Sequence, residues 1–305
     1  PPKKKNMTSP WHLLFFDIFL LLRFSTLIGL TLWPCFTNNP NDELFLWDWR
    51  NVVALFWQAF LFFYALVAPV AFALFVCMLP FGVFTFLAVM DIAVMGIAVD
   101  VFVWILKRTP LMYTSKAGAA FKGESWLYIT GICCDRAWLK LNCERLATMF
   151  GRRVIGIQNR TFGPVVGLLQ CIIQRDFGYA TDDVRVLYTI TKQELCDARN
   201  TRVVLIAHSQ GAIIASLAVD RLLASVNHHI LGKLELYTFG SAANHMHGAG
   251  VLGKIEHFAN QRDFFAQIGV LAYRSMRRDQ YSGHVYVDWD ATGHLLNTHY
   301  LHTTF

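Results

Sequence analysis

Ser209 lies in Ala207-His208-Ser209-Gln210-Gly211, a G-x-S-x-G pattern with alanine in place of the first glycine. A serine hydroxyl is a weak nucleophile until a base takes its proton, and a sharp strand-to-helix turn can lift it out of a sheet to meet one. Small residues two before and two after the serine let the flanking backbones pass closely. A helix N-terminus behind it favours developing negative charge. The residues on either side fit this geometry: 202–207 is an apolar, β-branched run, and Gln210 to Ala224 switches to helical spacing. The pattern predicts acyl transfer through Ser209, chemistry that needs no metal or cofactor.

An acid and a base must stand near that turn. Asp263 follows the strand expected over Lys254–Ala259, and His294 follows the strand expected over Gly283–Trp289. Serine, acid, histidine is the chain order of an α/β-hydrolase. In that scheme His294 takes the Ser209 proton, while Asp263 holds the imidazole tautomer and stabilises its cation. His299 is the alternative base, and the loop freedom of Gly293-His294 favours His294. Asp288 and Asp290 read as solvated loop residues, and His284 as a strand residue. Two backbone N–H groups must face the tetrahedral oxygen. Gln210 supplies one, and the loop after Trp126–Gly131 supplies the other through Ile132, with Cys133 as the alternative. His208 and His245 are candidates to line the substrate pocket. His228-His229 and His245-x-His247 lack a carboxylate or cysteine at ligand spacing, so no metal site is expected.

The elements that position these residues alternate. Strands at Trp126–Gly131, Arg153–Gln158, 202–207, Lys233–Phe239, Lys254–Ala259 and Gly283–Trp289 are interleaved with helices at Asp135–Phe150, Pro164–Arg175, Asp182–Ala198 and Gln210–Ala224. Such alternation predicts a parallel sheet with helices on both faces and functional groups at the strand carboxyl ends. The expected fold class is therefore α/β, an α/β-hydrolase sheet over residues 124–305.

Composition places that domain behind something else. The 305 residues are 55% hydrophobic and only 16% charged, with a mean hydropathy of +0.38. This is too apolar for a soluble domain, and the excess is concentrated before residue 107. After an N-terminal tail (1–10, including the Lys3–Lys5 run), residues 11–106 read as a membrane region. A stretch at 11–33 carries Asp17 and Arg23 and lies in the interface or spans. Helices at 52–79 and 81–106, parted by Pro80, form a transmembrane hairpin. Trp57, Tyr64 and Trp104 are interfacial anchors. Asp91 sits near mid-bilayer and Asp100 nearer the basic end. The 34–51 loop is polar and turn-rich, and 107–123 is a linker. Lys107-Arg108 directly after the hairpin place the hydrolase domain on the cytosolic side. The net charge of +6 forms no stripe with interleaved aromatics, which excludes nucleic acid as a partner and fits anionic lipid headgroups. The seven cysteines have no C-x-x-C spacing and suggest no disulfide framework, as in a reducing compartment. Asn159-Arg160-Thr161 carries the N-glycosylation pattern.

Val203 to Gly211, Tyr237-Thr238-Phe239-Gly240-Ser241 and Asn260-Gln261-Arg262-Asp263 resemble signatures of class 3-type lipases and related lipase-like serine esterases. Trp126 to Trp138 looks similar to their oxyanion strand. Gly293 to Leu301 is closer to membrane-anchored fungal α/β-hydrolases of the same kind. The resemblance covers most of 124–305 and none of the membrane region. It implies a serine hydrolase acting on an ester or thioester of a lipophilic substrate at a membrane. The same residues would serve an acyltransferase or cyclising enzyme, and with a broken triad the domain would be an inactive membrane adaptor. The stretch after Phe239 is too short for a cap domain, so an open site is expected.

Overall fold

The computed structural model describes residues 9–77, 90, 112–161, 163–276 and 280–301. The second hairpin helix expected over 81–106, with Asp91, Asp100 and Trp104, lies outside them. The rest is a mixed α/β fold around one seven-stranded sheet.

Its strands are β1 (Met112–Thr114), β2 (Glu124–Ile129), β3 (Val154–Ile157), β4 (Arg202–His208), β5 (Leu234–Phe239), β6 (Lys254–Arg262) and β7 (His284–Thr292). They run in the order β1-β3-β2-β4-β5-β6-β7. Every pairing is parallel except β1 with β3. The central strand β4 is buried from Val203 to His208, as expected of an apolar run covered on both faces. Strand β1 was not expected, because its three residues fall inside the presumed linker and are too few to show a period.

The helices are α1 (Pro10–Arg23), α2 (Trp49–Cys77), α3 (Arg136–Phe150), α4 (Gly163–Phe177), α5 (Asp182–Cys196) and α6 (Gln210–Ser225), with shorter turns near the site. Asp135 caps α3 by accepting from the Trp138 N–H, which satisfies one of the free donors of the first turn. Two apolar clusters fill the two faces of the sheet. One joins Leu127, Leu205, Ile213 and Leu236. The other joins Tyr128, Leu139, Val204 and Leu296.

The N-terminal segment packs against the sheet domain. Asp17, inside α1, is fully buried in an ion pair with Arg175 of α4, at 2.6 Å. The Tyr273 hydroxyl donates to its other oxygen at 2.6 Å. The side chain of Asn51, at the start of α2, accepts from the Trp138 indole at 3.0 Å. In the loop expected to be simply polar, Asp42 and Glu43 are buried. The physical reason is partnership: each carboxylate is matched by donors, which offsets the cost of leaving water. The outward faces differ in kind. Trp11, Phe15, Phe19, Leu22, Trp47 and Trp49 are exposed, as are Phe63, Leu66, Val67, Val70, Phe72 and Leu74 further along α2. Among the described residues, Trp49–Leu74 is the one helix long and apolar enough to cross a membrane.

Candidate active site

Ser209 sits between β4 and α6 with φ +58° and ψ −124°. A positive φ is rare for a residue with a Cβ and marks local strain. Bonds on both sides maintain it. The Ser209 N–H donates to the Phe239 carbonyl at 3.0 Å, and its own carbonyl accepts from Ala212 and Ala242. The elbow also depends on close approach. A Cβ on Gly131 would lie 2.5 Å from the Ser209 Cβ and 3.0 Å from its Oγ. The β2 carboxyl end thus packs directly on the serine. Ser209 is buried, and its hydroxyl has no hydrogen-bond partner among the described residues.

Asp263 directly follows β6, just past a register shift at Asn260/Arg262. Its Oδ1 accepts from the Phe265 N–H at 2.8 Å, capping the short helix Phe264–Ile268. Its Oδ2 meets the His294 Nδ1 at 2.8 Å and accepts from the Tyr300 hydroxyl at 2.6 Å. Burial pushes the Asp263 carboxyl up, but the His294 charge and the bonds from His294 and Tyr300 more than offset this. The acid is held below its ordinary value. An anion that stays ionised while buried obliges the Nδ1 of His294 to carry the proton. The other ring nitrogen, Nε2, is buried and unpartnered among the described residues.

His294 is fixed from several sides. Its N–H donates to the Thr31 carbonyl at 3.0 Å. Phe265 lies against its ring at 4.3 Å between centroids, and His208 lies at 4.7 Å. The His208 Nε2 bonds the His294 carbonyl at 2.7 Å. Burial and the neighbouring His294 push the His208 imidazole down to about 3. It is a neutral donor, supporting the histidine loop as well as flanking the serine. His299 lies under Gly293, with its Nδ1 accepting the Leu295 N–H at 2.9 Å. It is bound into the π-helical turn Leu296–Tyr300.

The two residues expected to supply the oxyanion donors follow the carboxyl ends of β4 and β2. Gln210 is the first residue of α6, so its N–H has no intrahelical acceptor. Its side chain is locked by Asn159 at 2.6 Å and by Gln174 at 2.7 Å. The Cys133 N–H is already committed to the Thr161 hydroxyl at 3.0 Å, which leaves Ile132 as the nearer match to the expectation. The buried Asn159, read from sequence as a glycosylation pattern, faces Gln210 and the Gly131 carbonyl instead.

Two expectations need correction. Ser209 and His294 do not lie open to solvent, being 1% and 4% exposed. No insertion after Phe239 covers it. The N-terminal segment supplies part of the enclosure, through Thr31 on His294 and through Glu43, which accepts the Asn297 N–H and the Thr298 N–H and hydroxyl. His245, expected in the pocket, turns toward Asp220 of α6, with its Nε2 at 3.0 Å. His247 reaches the same carboxylate at 2.6 Å. The carboxylate that the sequence spacing lacked is therefore present, brought from another element.

The supporting residues Tyr300, Gln174 and Thr31 were missed by sequence reasoning, since no motif marks their role, and Asn159 was read only as a glycosylation pattern. The chain matches no model of a known protein family, and no curated protein matches its sequence. Among solved structures it is similar to a Trichoderma reesei cutinase in complex with a C11Y4 phosphonate inhibitor, at 17% identity and a TM-score of 0.36, over 70% of this chain and 88% of the cutinase.

Proposed function

We propose that this chain is a membrane-anchored serine hydrolase that cleaves a carboxylic ester or thioester of a lipophilic substrate. The observation that carries the reading is a strained serine hydroxyl and an Asp263–His294 dyad at one end of the sheet, with the hydroxyl and the His294 Nε2 both buried and without a partner among the described residues. A buried hydroxyl and a buried ring nitrogen are costly to leave unbonded, and a reacting group between them would satisfy both.

As the Ser209 Oγ attacks the acyl carbon, His294 Nε2 takes its proton and Asp263 stabilises the imidazolium. Negative charge developing on the acyl oxygen meets the Gln210 and Ile132 N–H groups. Collapse of the tetrahedral intermediate breaks the bond to the leaving alcohol or thiol, which receives the proton from His294. Water then attacks the acyl-enzyme while His294 takes its proton. The carboxylic acid leaves as Ser209 regains its hydrogen. Asp263 and Tyr300 stay where they are throughout.

The anchor is α2, continued by the apolar residues beyond it. The outward aromatic face of α1 and of residues 47–49 rests in the headgroup region of membrane lipids. Lys107-Arg108 set the sheet domain on the cytosolic side. A substrate with an acyl chain would then reach the site from the lipid side. Turnover of a medium-chain p-nitrophenyl ester by the full chain in detergent tests the reading. Wild type hydrolyses it, and Ser209→Ala does not. Equal rates for the two would overturn it.

A further inference from the structure

Asp220, His245 and His247 hold three donor atoms within 4.8 Å of one another, well away from the triad. Asp220 lies eleven residues along α6 from Ser209, about 16 Å at the helical rise. The two histidines come from the segment after β5. The side chains are partly exposed: 35% for Asp220, 13% for His245 and 34% for His247. A bound ion would keep an open position facing solvent.

The neighbouring amide fixes how the His245 ring is turned. Asn244 donates its Nδ2 to the Arg175 carbonyl at 2.8 Å and to Asp176. Its Oδ1 is therefore the atom that meets His245 Nδ1 at 2.7 Å. An amide oxygen only accepts, so Nδ1 carries a hydrogen and Nε2 is the nitrogen turned to Asp220. That nitrogen faces a carboxylate oxygen at 3.0 Å. A proton or a metal ion between them would satisfy both atoms. An outer-shell oxygen on one nitrogen with the other turned inward is also the arrangement found around histidine ligands of metals. The rings of His245 and His247 stand 5.0 Å apart at 43°, so both can turn one nitrogen to a common point. Donors of a tetrahedral zinc site are about 3.3 Å apart. His245 Nε2 and His247 Nδ1 lie 3.0 and 2.6 Å from different oxygens of Asp220, and the three donor atoms lie within 4.8 Å of one another, so side-chain rotation closes them on an ion.

We infer that Asp220, His245 and His247 form a binding site for a divalent transition metal ion of the zinc type, with water as the fourth ligand. Bound there, the ion ties α6 to the segment after β5. Asn244 extends the tie to Arg175, whose guanidinium donates to the carbonyls of Ala242 and Ile268 at 2.7 and 2.9 Å. Ala242 bonds the Ser209 carbonyl, and Ile268 ends the helix that Asp263 caps. The site is thus a structural clamp behind the catalytic loops, and it does not depend on the chemistry assigned to Ser209.

The test is a zinc titration of the full chain in detergent, stripped with chelator and desalted, read by metal content and by thermal melting. Wild type should retain about one zinc per chain and melt at higher temperature when loaded. Asn244→Ala should weaken zinc binding about 10- to 100-fold, while Asp220→Asn and His247→Gln should abolish both retention and the melting shift. Circular dichroism of each metal-free variant separates lost binding from lost folding. Replacing zinc with cobalt(II) adds a spectroscopic reading, since a four-coordinate site gives strong visible bands. Wild type that retains no metal and shows no shift would overturn the site and leave only an imidazolium–carboxylate pair. Variants that bind zinc as wild type does would equally overturn it.

Discussion

The two halves of the candidate site are built differently. The nucleophile half is local: β4, Ser209 and α6 are consecutive, and the strain at Ser209 is held by backbone bonds and by the glycine at 131. The acid–base half is held from a distance. His294 is bonded to Thr31, the turn behind it to Glu43, and the loops beside Asp263 to Arg175, which is paired with Asp17. A strand-to-helix turn and its neighbouring strands strain the serine. Holding an acid against a base took the apolar N-terminal segment, which also carries the large exposed apolar surface.

Substitutions in the distant half test this contrast. The largest effect is expected for Asp263→Asn, which keeps the shape but favours the wrong His294 tautomer. The turnover number should fall about 10⁴-fold with the elbow intact. Asp17→Asn comes next. It leaves Arg175 buried without its counter-ion, a loss of about 3–5 kcal/mol for a broken buried pair, measurable by thermal unfolding in detergent. Unchanged stability would show that α1 does not hold the acid–base loops. The smallest effect concerns pH. His208 has its imidazole lowered from 6.5 to about 3 in the folded chain. Between these values the unfolded chain binds the extra proton, so this contribution is complete above 6.5 and is lost as pH falls through the window. His208→Gln keeps a donor for the His294 carbonyl and should flatten the acid loss of stability by up to about 1.4 kcal/mol per pH unit. Parallel curves for the two proteins would contradict a neutral, buried His208.

Much of the fold could be read because its signals are local. The apolar run at 202–207, the capping Asp135 and the strand–helix alternation each sit within a few residues, and the parallel sheet follows from them. What could not be read depends on separation. Asp17 looked like a flaw in an apolar stretch until Arg175, 158 residues away, was seen to meet it. Glu43 looked like an ordinary loop acid, yet its partners lie more than 250 residues on. The same limit hid Asp220 from the His245-x-His247 pattern. It also made Asn159 look like a modification signal when its amide braces Gln210. Spacing shows which residues share an element, and it is silent on which elements meet.

Labelling with a long-chain fluorophosphonate, followed by peptide mass mapping of the full chain, tests the central claim most directly. The account predicts a single adduct on the peptide containing Ser209. It should be absent from Ser209→Ala and strongly slowed in His294→Ala, with His299→Ala still labelling. No adduct on wild type, or an adduct on another residue, would contradict it.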